Sequence, residues 1–371
     1  MSKAAQLAAL IGSGQAQGNR NTIINGAMQV QQRGTVTGIT GTAYGSCDRF
    51  KLQMTNAGTW TASQDASAPS GFTTSNKLDC TTADASLAAA DFMFYAQHVE
   101  AQNLQNLKWG TSNAESLTLS FWVKSNKTGV YSTEIQHGDM GSGNYWNNNT
   151  YTISSANTWE YKTIPITGET STAINNDNGI GLYVRWWLAS GTDYSSGTQA
   201  ANTWQGTAAN RVKNNQVNLA DNTSNDWLIT GVQVEIGDVA TPFEHEDIGT
   251  TLAKCQRYYQ KSFAYGTAPV NDITGVRMSE MPPSNSASYG GAVVYLEKTM
   301  RANPSVVAYN PQAAPSNSGA YINDLVNSSV TTEYQIASVE SLSSKLRFLL
   351  TTAPTTGGNP YGCNWTAEAE L

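Results

Sequence analysis

The sequence predicts an all-β protein made mostly of packed antiparallel sheets, and three observations predict it. Charged residues are 13% of the 371, about half the ~25% usual in globular domains, yet the mean hydropathy is −0.38. Asn, Gln, Ser, Thr and Gly therefore do the solvating, which suits sheets rich in Thr and Tyr better than exposed helices carrying Glu and Lys pairs. Many segments alternate apolar and polar residues with period two between Gly, Ser, Asn and Asp clusters. Helical periodicity, by contrast, is confined to two short stretches. At ~100 to 200 residues per domain, a chain of this length is expected to build two cores.

The elements follow in chain order. Ala4, Leu7, Ala8 and Ile11 recur at helical spacing and give residues 1–20 one apolar stripe, ended by "GSGQAQG". A helix this short is marginal alone, so it is expected to dock against other copies or another protein; a frayed terminus is the competing reading. Residues 21–246 read as strands. In "SLTLSFWVKS", Leu117, Leu119, Phe121 and Val123 share one face. In "IGLYVRWWLA", Leu182, Val184, Trp186 and Leu188 face one way and Tyr183, Arg185 and Trp187 the other. In "DWLITGVQVEIG", Leu228, Val232, Val234 and Ile236 line one side, Gln233 and Glu235 the other. Two packed antiparallel sheets account for such strands.

Residues 247–262 change period, with Leu252, Cys255 and Tyr259 at helical spacing and Asp247 or Thr250 as the N-cap. This predicts a short helix between domains. Strands resume over 263–371 in "GGAVVYLEKTM", "PSVVAYN", "TTEYQIASV" and "KLRFLLTT". The final one, "YGCNWTAEAEL", alternates Cys363, Trp365, Ala367, Ala369 and Leu371 with polar residues. "NPQAAPSNSGA" and "TTAPTTGGNP" supply loops.

Composition and motifs exclude several functions. A net charge of −7 opposes a broad phosphate-binding face, so nucleic acid is not an expected partner. No run approaches ~18 apolar residues, so no membrane insertion is expected, and "MSKAAQLAALIG" does not read as a secretory signal. Cys47, Cys80, Cys255 and Cys363 form no metal-type pair and are expected as buried free thiols, as a reducing cytoplasm allows. No hydrolase, zinc-protease, P-loop or dinucleotide-binding signature is present. Asp139, Glu134 and Glu160 are carboxylates of the kind a glycosidase pairs, but nothing in the sequence singles them out. "FEHED" reads as a solvated turn before the helix. No catalytic residue, cofactor or metal is assigned.

The better candidates are exposed rings, because a flat ring beside amide donors holds the apolar face of a sugar. Trp122, Tyr183, Arg185 and Trp187 form such a set if their strands share an open face; packing under long loops or against a neighbouring subunit is the competing reading. Tyr145 and Trp146 in "DMGSGNYWNNNTY" are a second set, with subunit contact as the alternative.

"NTIINGAMQVQQRG", "SLTLSFWVKSNKTGVY", "ITGVQVEIGDVATPFEHEDIGTTLAKCQRYYQ", "MRANPSVVAYNP" and "NWTAEAEL" together resemble a bacteriophage tail-fibre or virion-surface protein. The resemblance implies a carbohydrate-binding-module-like jelly-roll β-sandwich followed by a second, smaller β-sandwich domain. It makes "IINGAMQV" the first strand of the jelly roll, with Met28 or Val30 entering its core, and leaves a structural calcium in doubt for want of an Asp in the closing strand. It further implies a non-enzymatic virion structural protein, made in the host cytoplasm and assembled as a homotrimer, that recognises a host-surface glycan during adsorption. Ala4, Leu7, Ala8 and Ile11 become the candidates for docking on a tail adaptor, another fibre protein or the capsid. A connector or capsid decoration that binds no glycan is the alternative, and a polysaccharide depolymerase the third reading.

Overall fold

The computed structural model describes residues 19–140, 145–271, 277–280, 291–309, 321–324, 333–350 and 360–371. The leader stripe Ala4, Leu7, Ala8 and Ile11, the loop "NPQAAPSNSGA" and nearly all of "TTAPTTGGNP" lie outside the described residues. The chain divides into two compact units, one of residues 1–30, 35–248 and 371, the other of residues 31–34 and 249–370.

The strands of the first unit are β1 (Val36–Ile39), β2 (Ala43–Tyr44), β3 (Phe50–Thr55), β4 (Thr59–Asp65), β5 (Ser75–Thr82), β6 (Phe92–Glu100), β7 (Leu117–Ser125), β8 (Gly129–His137), β9 (Trp146–Ile153), β10 (Glu160–Ile166), β11 (Ile180–Ser190), β12 (Trp204–Gln205) and β13 (Asp226–Ile236). They pair into a six-stranded sheet, ordered β1-β4-β5-β13-β7-β10, and a seven-stranded sheet, ordered β12-β9-β8-β11-β6-β3-β2. Neighbours in space are mostly distant in sequence, as in a β-sandwich whose chain crosses repeatedly between sheets. Leu117, Leu119, Phe121 and Val123 from one sheet share a single core with Leu182, Val184, Trp186 and Leu188 from the other, so period-two alternation read both inner faces correctly.

In β13 the alternation breaks. Trp227 and Ile229 enter the core before Gly231, and Val232 and Val234 after it. Gly231 has φ +62°, and the register against β7 shifts between Thr230 and Gln233. A bulge adds one residue and reverses which side chains face inward. Leu228 therefore does not share the core face with Val232 and Val234, as a uniform alternation had placed it.

"IINGAMQV" is not a strand. Residues 23–27 form a turn, held where Val232 donates its N–H to Gly26 O at 2.9 Å and Thr22 donates to Val234 O at 2.9 Å. Asn25, at φ 61°, accepts from Val30 N and donates to Val30 O, both at 2.9 Å. A Cβ on Gly26 would clash with the Val232 carbonyl, so this turn needs glycine. Met28 and Val30 are both fully buried, and Met28 joins the main core. The segment is scaffold, laid along the β13 bulge.

Helix α1 (Ile248–Gln256), which belongs to the second unit from Gly249 on, buries Thr251 and Cys255. Asp247 directly precedes it, whereas Thr250 lies inside it. The helix stops short of 262, because residues 259–261 pair with the last strand. The strands are β14 (Tyr259–Lys261), β15 (Arg277–Glu280), β16 (Gly291–Tyr295), β17 (Ser305–Tyr309), β18 (Tyr321–Asp324), β19 (Glu333–Leu342), β20 (Lys345–Leu350) and β21 (Pro360–Glu368). β21 is the hub and pairs with β14, β15, β17 and β18. β20 is separated from β21 by β18 and β19 in the strand order, yet Leu346 and Phe348 share a core with Cys363, Trp365 and Ala367. The sheet thus folds over a small core of its own. All four cysteines are buried and none is in a disulfide.

Candidate functional site

The site lies on the face of the seven-stranded sheet that points away from the main core. β11 is flanked there by β8 and β6, and alternation sends Tyr183, Arg185 and Trp187 outward. Glu134 stands directly across from Arg185, and Phe92 and Phe94 project from β6. After β11 the chain forms a turn of helix at Thr192–Ser195 and a 3-10 turn at Ala208–Asn210. This connection folds back over the sheet, where Val212 packs with Phe94, Ala96 and Trp187 in a separate apolar cluster edged by Phe92 and Tyr194.

Between sheet and connection a cleft of about 310 Å³ remains, lined by Gln53, Phe92, Phe94, Gln136, Trp146, Tyr183, Arg185, Trp187, Tyr194 and Arg211. Beneath it sits Glu134, whose carboxylate is fully buried. Arg185 donates to its Oε1 at 2.5 Å, and Arg211 grips both oxygens through Nε at 2.8 Å and Nη2 at 2.7 Å. Trp187 Nε1 donates to Oε2 at 3.3 Å. Burial alone would raise the Glu134 pKa, but the charges of Arg211 and Arg185 outweigh it and hold the carboxyl below its ordinary range. Glu134 is therefore an ionised anchor. Arg185 also donates to Gln136 and stacks on Tyr183, 4.4 Å from the ring centroid, while Arg211 lies 4.5 Å from Trp146 and 4.7 Å from Trp187.

The sequence-predicted set is thereby split. Trp122 belongs to β7, in the six-stranded sheet, and packs on Tyr161 at 5.2 Å; it cannot join Tyr183, Arg185 and Trp187, because alternation gives a face but not a sheet. Trp187 is a correction of another kind. It is wholly buried, since the connection and Tyr194 cover it, as the packing-under-loops reading anticipated. Tyr183 is half-buried at the rim, and Arg185 is 8% exposed. Of the second set, Trp146 lines the cleft while Tyr145 stacks on Trp204 at 5.8 Å instead. Gln53, Phe92, Phe94, Gln136, Tyr194 and Arg211 were not identified from the sequence.

The three carboxylates considered for glycosidic chemistry occupy different networks. Glu134 is clamped as described, Glu160 on β10 is bound by Lys162 at 2.7 Å, and Asp139 accepts from Asn175 at 2.7 Å. Among the described residues no group of three or more His, Cys, Asp or Glu gathers to hold a metal ion.

Two histidines of this unit are kept neutral. Burial lowers the pKa of His98, aided by Lys51, Arg185 and Arg49, and burial lowers that of His137 against opposing contributions from Thr172, Glu169 and Asp139. With folded values below the unfolded ~6.5, the unfolded chain binds more protons as pH drops, so stability is full above ~6.5 and is lost as pH falls through the folded values. Urea unfolding followed by tryptophan fluorescence from neutrality to mild acid is expected to show this slope, and His98→Gln with His137→Gln to flatten it. An unchanged slope in the double variant would contradict the assignment.

No family profile and no curated protein sequence matches this chain. Solved structures to which it is similar include the enzymatically active domain of tailspike protein 4 of bacteriophage CBA120, at 11% identity and a TM-score of 0.28 over 59% of this chain and 22% of that one. Two others are carbohydrate-binding modules of Clostridium thermocellum. The C-terminal family 22 module of Xyn10B is 13% identical at a TM-score of 0.28, over 54% of this chain and 98% of the module. The family 11 module of the cellulosomal cellulase Lic26A-Cel5E is 11% identical at 0.27, over 56% and 99%. At these identities and scores the likenesses add no ligand and no activity to this chain, whose β-sandwich is established by its own strand order.

Proposed function

We propose that this chain is a non-enzymatic virion-surface protein of phage tail-fibre type, whose first β-sandwich holds a host-surface glycan in the cleft beside Tyr183 during adsorption. The observation that carries this reading is the cleft itself. It joins the half-buried rings Tyr183 and Phe92, with Phe94 and Trp146 buried in its wall, to amide and guanidinium donors, Gln53, Gln136 and Arg211, and a sugar needs both an apolar platform and a hydrogen-bonding rim. The virion setting is supported by the resemblance carried by "GVQVEIGDVATPFE", "CQRYYQ" and "NWTAEAEL". Trimeric assembly and attachment through Ala4, Leu7, Ala8 and Ile11 belong to the same proposal.

One observation favours the connector reading. Trp187 is fully buried, so part of the aromatic set serves packing and not a ligand. A glycan array separates the two. The full chain is expected to bind, and Tyr183→Ala, at the cleft rim and outside the main core, to weaken binding by about tenfold or more with unchanged melting. A chain that binds no glycan, in particles that fail to assemble without it, is a connector.

A further inference from the structure

The cleft presents an unusual charge pattern. Among the described residues its lining includes two guanidinium groups, Arg185 and Arg211, and no carboxylate. Their shared counter-ion, Glu134, is fully buried beneath them, so an incoming ligand meets the cations and not the anion. The imbalance is local, because the chain as a whole has 28 acidic residues against 21 basic ones. Two arginines on one carboxylate leave one net positive charge in a partly desolvated site, where charge is screened less than at an open surface.

The donors there are not exhausted by the protein. Arg185 Nε is buried without a hydrogen-bond partner among the described residues, in a residue 8% exposed, and so is Nε1 of Trp146, a residue 2% exposed. Arg211 spends Nε and Nη2 on Glu134, leaving Nη1 beyond that clamp. Buried polar groups without partners are uncommon and each has a cost. Two such groups in side chains that line one cleft, next to a spare positive charge, leave that wall rich in donors and short of acceptors, which favours an anionic ligand.

We infer that the glycan held in this cleft is acidic, carrying a uronate-type carboxylate that docks against Arg211 and Arg185 while its sugar ring lies on the aromatic side chains. The inference rests on the reading of the cleft as a glycan site and adds the class of sugar. Carboxylate and guanidinium make charge-assisted hydrogen bonds of roughly twice the strength of neutral ones, so Arg211 and Arg185 select for charge, and the rings for the presence of a sugar.

The test is calorimetric titration of the full chain with oligomers of galacturonate, glucuronate and mannuronate, each beside its carboxyl-reduced neutral counterpart. At least one acidic oligomer is expected to bind about tenfold more tightly than its reduced partner, and added salt to weaken the acidic but not the neutral oligomer. Arg211→Gln is expected to bring the acid-to-neutral ratio close to one. Should that variant fail to fold, carboxyl reduction and salt still decide the matter in the unaltered protein. Reduced oligomers that bind as well as acidic ones overturn the inference and leave the glycan site standing. Absence of binding by either kind, with the array also blank, removes both.

Discussion

Glu134→Ala is expected to lower the unfolding free energy of the first unit by about 3–5 kcal/mol, the range found when one member of a buried ion pair is removed. The carboxylate is fully buried, accepts from Arg185, Arg211 and Trp187, and ties the 191–213 connection to the sheet. Without it two guanidiniums face each other with no counter-ion, and the connection loses the ion pair that Arg211 makes to the sheet. Nine of the ten tryptophans lie in this unit, so urea unfolding read by fluorescence reports on it. Lys108–Glu115, whose side chains are 56% and 38% exposed, is the control; breaking it is expected to change stability by no more than about 1 kcal/mol. Equal small effects at both sites would show that the clamp is incidental. The same carboxylate gives an acid limb to stability. Its folded pKa is depressed, so its contribution is full above the unfolded ~4.3 and is lost as pH falls through the folded value, a window that opens at lower pH than that of the two histidines.

Trp186→Ala is expected to cost about 3–5 kcal/mol, through a different cause. Trp186 is fully buried between the two sheets, 5.6 Å from the Phe121 ring of the opposite sheet and 6.4 Å from Tyr95 of its own. Removing the indole opens a cavity that the rings around it cannot fill without leaving their rotamers. Its Nε1 has no hydrogen-bond partner among the described residues, so the side chain contributes by packing and Trp186→Phe is expected to cost much less. Thermal unfolding of the two variants checks this. Comparable losses from phenylalanine and alanine would place the stabilisation elsewhere.

The inner faces of β7 and β11 could be read from the sequence because β7, and β11 from Leu182 to Leu188, keep alternation, and period two has one meaning in a half-buried strand. β13 could not, since a single bulge at Gly231 reverses the parity midway and glycine gives no side chain to reveal it. Sheet membership was equally hidden. Trp122 and Trp187 alternate alike, but pairing of β7 with β10 and β13, and of β11 with β6 and β8, is a matter of long-range contacts. Four of the ten residues that line the cleft, Tyr183, Arg185, Trp187 and Trp146, were among the sequence candidates. Arg211 and Tyr194 come from a connection of Gly, Asn, Thr and Ala with no periodicity, so nothing local indicated that it folds back over the sheet. One signal was available: an outward Arg185 flanked by two rings on a buried-looking strand implies a partner carboxylate, and Glu134 had been noted for other reasons.

We propose that the cleft between β11 and the 191–213 connection holds a glycan. A crystal structure of the full chain with the tightest-binding oligosaccharide tests it most directly. The account predicts saccharide density lying on Tyr183 and within hydrogen-bonding distance of Arg211. Density instead against Trp122 and Tyr161 on the other sheet, or in the second unit, would contradict it.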